Sequence, residues 1–193
     1  ERDIFYFPFN MRIDILADRQ GAFYLTINTS SAGLPVVNNK LNYKSPNEDV
    51  YIMKMDNRGN ILWSGYFGGR SNDFATALVK NDSNQLFLVG GTSSNDLIKD
   101  TNVYQHKLAG DTDGFVLRMD TGGNRIWASY YGSSGNDYIT AAETTYGQKL
   151  LVVGITRDDT IKQHIWTHRA RKTRKTNSTI ALINDSSHVD WLR

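Results

Sequence analysis

Three tryptophans stand at equal intervals: Trp63, Trp127 and Trp191 are 64 residues apart, and the agreement runs well beyond them. Residues 49–63, DVYIMKMDNRGNILW, align without a gap on residues 113–127, DGFVLRMDTGGNRIW, and more faintly on residues 177–191, NSTIALINDSSHVDW. Earlier in the unit, QLFLVGGTSS (85–94) returns as KLLVVGITRD (149–158) at the same shift and as AFYLTINTSS (22–31) at one residue less. Three copies, approximately 11–73, 74–137 and 138–193, fill nearly the whole 193-residue chain as a single segment. Such a repeat describes an array whose units each pack on their neighbours.

Within the middle copy, aliphatic, β-branched and aromatic runs alternate with clusters of Gly, Asn and Asp, the pattern of strands and turns. It predicts four strands, over 75–79, 85–89, 115–119 and 125–131, with a long irregular connection between the second and third. Phe115, Leu117 and Met119 alternate with Val116 and Arg118, and Tyr51, Met53, Met55 and Thr179, Ala181, Ile183 keep the same beat. A period of two belongs to a strand, not a helix. The turns MDNRGN and MDTGGN put Gly59 and Gly123 where a hairpin needs a positive φ.

A four-stranded antiparallel unit with two apolar faces buries them only between neighbours around a common axis, as a propeller blade does. The fold class expected is therefore all-β: a β-propeller of about three four-stranded blades of 64 residues in an incomplete ring. The Trp and the aromatic after it are expected to fill the gap between adjacent blades. The repeated Gly and Asn-Asp turn carries the chain from the outermost strand of one blade to the innermost strand of the next. Propellers usually have about four to eight blades, so two sheet faces need a cover. That cover is either the rest of a longer chain or a second copy joined head to tail into a six-bladed ring, since Arg193 ends in repeat phase with position 1. Residues 3–10, DIFYFPFN, carry little repeat character and are expected to seal a junction.

The segments WASYYGSSGNDY, FLVGGTSS and GDTDGFVLRMDTGGNRIW resemble the SBBP-type β-propeller repeat, over roughly residues 14–160. The third copy departs from it, with Ser187 in place of Gly123 and Asn177 in place of Asp113. The resemblance implies an exported or surface-attached bacterial protein with a scaffold or adhesion role, and it supplies no catalytic residue.

Composition narrows the setting. The apolar runs, such as 86–89 and 150–153, are too short to cross a bilayer as helices, and the absence of Cys removes disulfides and thiolate metal sites. Glu1 points to a processed start or a cut chain. The net charge of +2 conceals a segregation: Lys162, Arg169, Arg171, Lys172, Arg174 and Lys175 lie within fourteen residues free of acids, leaving 16 basic against 20 acidic residues elsewhere.

That basic stretch, KQHIWTHRARKTRK, fills the long connection of the third copy. Trp166, Arg169, Arg171, Lys172, Arg174 and Lys175 form the candidate binding set, because clustered cations supply salt-sensitive affinity for acidic groups and an aromatic adds stacking. A solvated loop is the plainer account of the same residues. No nucleic-acid motif accompanies them, so nucleic acid is not expected as a partner. His164 and His168 lack the Glu of a zinc-protease helix, Ile165 standing in its place. Asp111–Gly114 opens like a calcium loop, but the twelfth position is Gly122 rather than Glu. Asp49 and Asp113 are expected to tie the turn before the third strand, and Asp73 and Asp137, with Asn72 and Asn136, to cap the turn between blades. Three glycosylation-like triplets begin at Asn28, Asn81 and Asn177. No catalytic residue, metal ligand or cofactor is assigned. The function expected is a non-enzymatic exported or cell-surface module binding protein or acidic glycan; the alternatives are a glycan hydrolase or lyase with loop carboxylates and a structural subunit of a larger complex.

Overall fold

The structure is a computed structural model that describes residues 13–38, 41, 45–157 and 177–192, with the backbone alone of Trp191 and Leu192. Among the described residues there are twelve strands and no helix. The first sheet comprises β1 (Ile13–Ala17), β2 (Phe23–Thr29), β3 (Asp49–Met55) and β4 (Ile61–Phe67). The second comprises β5 (Asp73–Lys80), β6 (Gln85–Thr92), β7 (Asp113–Asp120) and β8 (Arg125–Tyr131). The third comprises β9 (Asp137–Thr144), β10 (Leu150–Thr156), β11 (Asn177–Ile183) and β12 (Val189–Leu192). Each is an antiparallel meander in chain order.

The sequence repeat is also a repeat of register. Lys54 pairs with Trp63, Arg118 with Trp127 and Leu182 with Trp191, and in all three sheets the ladder shifts at the next residue of the third strand. The turn glycines Gly59 and Gly123 both have φ of 83°. Ser187 holds the same place at φ 69°, where an ordinary side chain is strained by about 1–2 kcal/mol. Its hydroxyl accepts a hydrogen bond from Tyr104 N–H at 2.9 Å.

The three sheets stand face to face as propeller-like blades. β5 lies against β1, β2 and β3, and β9 against β5, β6 and β7, so the first strand of each sheet is the inner one. Asn28 of β2 ties the blades there: its amide donates to Ala75 O at 3.0 Å, and Ala75 N–H donates to its Oδ1 at 2.8 Å.

Two separate apolar layers fill the gaps. In the first, Trp63 and Phe67 meet Leu78, Leu86, Leu88, Leu117 and Met119. In the second, Phe87, Val89, Val116 and Trp127 meet Ile139, Leu150, Val152 and Ile183. The period-two beat of β7 therefore sorts residues between two cores rather than between core and water, and the strand is buried along nearly its whole length. Each fully buried Leu or Phe of this kind stabilises by roughly 1.5–3 kcal/mol. The Trp and the aromatic before the turn glycine share a layer, Trp63 with Phe67 and Trp127 with Tyr131, whereas Tyr130 joins the first layer, because successive strand residues point to opposite faces.

Candidate binding rim

Where the chain passes from blade to blade, four aspartates are buried in pairs. Asp49 opens β3 and Asp73 opens β5; Asp113 opens β7 and Asp137 opens β9. All four are at most 1% exposed. Gly68 separates the first pair so closely that a Cβ there would lie 2.2 Å from Asp49 Oδ1 and 3.0 Å from Asp73 Oδ2. A Cβ on Gly132 would lie 2.4 Å from Asp113 Oδ1. The aromatic-Gly of the repeat is thus required by the carboxylate packed against it.

These carboxylates hold the loops, as the sequence predicts. Asp73 accepts from Gly69 N–H at 2.6 Å, from Ser94 Oγ–H at 2.8 Å and from the Thr92 hydroxyl. Asp113 accepts from Ala109 N–H at 2.8 Å, Gly110 N–H at 3.1 Å and Gln105 Nε2–H at 2.7 Å. Asp49 accepts from Ser45 N–H at 2.7 Å, and Asp137 from the Ser133 hydroxyl at 2.9 Å. Burial pushes the Asp73 carboxyl up to about 7 and that of Asp113 up to about 6; the donors around each oppose the shift, and the neighbouring Asp of each pair adds to it. Asp49 is raised for the same first reason.

Outer strands clamp the long connections. Tyr66 Oη–H donates to Ser31 O at 2.8 Å, and Tyr130 Oη–H to Ser94 O at 2.6 Å. Ser64 Oγ–H donates to Pro35 O at 2.7 Å while accepting from Val37 N–H at 3.0 Å. Ser129 repeats the arrangement on Gln105, at 3.2 and 3.0 Å. The rim is a set of irregular loops on fixed anchors.

A further recurrent clamp closes each gap. Lys54 Nζ–H and Trp63 Nε1–H both donate to Thr121 O, at 3.1 and 3.0 Å. Sixty-four residues on, Arg118 Nη1–H and Trp127 Nε1–H donate to Asp185 O, at 2.6 and 2.8 Å. Each cation also lies over an aromatic ring, Lys54 over Tyr24 at 5.2 Å and Arg118 over Phe87 at 5.6 Å. Burial of a cation is not suggested by an alternating strand, yet the sequence holds a signal: both basic residues fall in one column of the repeat, two pairs from the hairpin.

An open hollow of about 400 Å³ beside β8 is lined by Lys99, Asp100, Ile126 and Trp127 among others. Asp100 there is already engaged by Arg125 Nε–H at 3.0 Å and Ala128 N–H at 2.8 Å. Among the described residues no group of three or more His, Asp or Glu is placed to hold a metal ion. Of the glycosylation-like positions, Asn28 and Asn81 are buried, with their amides bonded to Ala75 O and Gln85 Oε1. The basic set Trp166, Arg169, Arg171, Lys172, Arg174 and Lys175, the pair His164 and His168, and residues 3–10 lie outside the described residues. In sequence the basic stretch joins the end of β10 to the start of β11, the place held in the second blade by the connection that Tyr130 and Ser129 clamp. No family model matches the chain, and no curated protein matches it.

Proposed function

We propose that the chain is a non-enzymatic binding module, an SBBP-like propeller segment exported to a bacterial surface, whose β10–β11 connection takes an acidic glycan. The observation that supports this reading is the use made of the recurrent polar groups. Asp49, Asp73, Asp113 and Asp137 are turned inward onto loop backbone, and the tyrosine and serine hydroxyls pin the same loops. Side chains spent on anchoring make a scaffold, and loops on a rigid scaffold are where recognition concentrates. Within the connection between β10 and β11, residues 162–175 differ from their counterparts in carrying six cations and a Trp without an acid, the composition that suits sulfate or uronate groups. Binding of the purified chain to a sulfated-glycan array at low and high salt tests it. Retention that falls with salt and disappears in the combined Arg171→Ser, Lys172→Ser, Arg174→Ser, Lys175→Ser variant is expected; retention unchanged in that variant overturns it.

A further inference from the structure

The internal junctions show what covers each face of a blade, and the chain carries both halves of one more junction. On the second blade, the face turned to the first blade presents Leu78, Leu86, Leu88, Leu117 and Met119, all at most 4% exposed. The first blade has the same face in the same register: Ile15 pairs with Leu25 and Leu25 with Met53, as Leu78 pairs with Leu88 and Leu88 with Leu117. There it is open along β1 and the start of β2, with Ile13 52%, Ile15 66% and Phe23 39% exposed, while Tyr51 at its far side is buried.

The seat for a tryptophan is empty as well. At Gly123 the Trp63 ring packs so close that a Cβ would meet it at 3.1 Å, whereas at Gly59, with the same φ of 83°, nothing lies within 4 Å. The opposite face is uncovered on the third blade. Ile180 pairs with Val153 as Val116 pairs with Val89, yet Ile180 is 41% exposed and Val116 fully buried. Trp191 stands in the register of Trp63 and Trp127.

We propose that the occupant of the first blade's open face is the third blade of a second copy of this chain, its Ile180 face laid on the Ile15 face in the register of the internal junctions. The interface is heterologous, and two copies close it twice. Three blades from each make six, inside the usual range of about four to eight, whereas three copies would make nine. This inference does not depend on the glycan reading.

Light scattering on the 193-residue chain is expected to give twice the 21.8 kDa of one chain. Because every junction uses one Ile15 face and one Ile180 face, Ile15→Lys and Ile180→Lys, both at exposed positions, should each give monomers with unchanged far-ultraviolet circular dichroism. Mixing the two variants should restore a two-chain species through the one junction in which both faces are native. A wild-type monomer overturns the proposal and leaves another occupant, residues 1–12 or a different protein. A dimer that survives Ile180→Lys, or variants that fail to complement, overturns the head-to-tail arrangement.

Discussion

Trp63 and Trp127 each do two things at a blade gap: they fill it with a large apolar ring, and they give an indole N–H to the carbonyl of the next hairpin, Thr121 O or Asp185 O. The two contributions separate by substitution. Trp127→Phe keeps most of the packing and loses the hydrogen bond, and is expected to cost about 0.5–1.5 kcal/mol. Trp127→Ala also opens a cavity and is expected to cost about 3–5 kcal/mol, both read from urea unfolding midpoints. Asp73 carries a pH dependence. Its folded carboxyl is raised to about 7 from an unfolded value near 3.8, so the folded chain binds the extra proton between them. Stability from this residue is therefore fully present below about 4 and is lost as pH rises towards 7; Asp113, raised to about 6, acts in the same direction. Asp73→Asn keeps the shape and allows donation to Thr92, and is expected to flatten the fall in unfolding midpoint over that range.

The turn from β4 to β5, and its copy from β8 to β9, exist as tight passages because Gly68 and Gly132 leave room for a buried aspartate. Gly132→Ala is expected to destabilise by about 1–3 kcal/mol, since the added methyl meets the Asp113 carboxylate rather than a yielding side chain, and thermal unfolding of the variant checks it. Strand ends were only partly legible in the sequence. The alternation of β6 stops at Gly90, but the strand continues through Gly91 to Thr92. A Cβ on Gly90 would lie 1.8 Å from Phe74 O, so the glycines mark close approach of β5 rather than the end of pairing. The expected strand over 75–79 leaves Asp73 in the turn between blades, although its backbone pairs with Thr92 within β5 while its side chain still holds the turn through Gly69 N–H.

An array of blades with two uncovered faces joins its units through nearest-neighbour contacts, and covering the open faces adds stability only by association. The thermal unfolding midpoint of the wild-type chain is therefore expected to rise with chain concentration, and that of Ile15→Lys to be independent of it; a wild-type midpoint that ignores concentration contradicts the paired ring. The aspartate and tyrosine anchors lie within blades or between adjacent blades, so association is expected to leave the rim loops as they stand.

By itself the sequence determined the unit and its number. A 64-residue recurrence of Trp, alternating apolar residues and glycine turns specifies four-stranded sheets, because local backbone preferences and side-chain period act over a few residues at a time. Only the tertiary structure decided which neighbour each residue meets. The burial of Arg118 under the next hairpin, the division of Tyr130 from Tyr131 and the pairing of Asp113 with Asp137 bring together atoms far apart along the chain. Such contacts depend on how sheets stack, and the stacking is a sum over many weak apolar contacts that no single stretch of residues encodes.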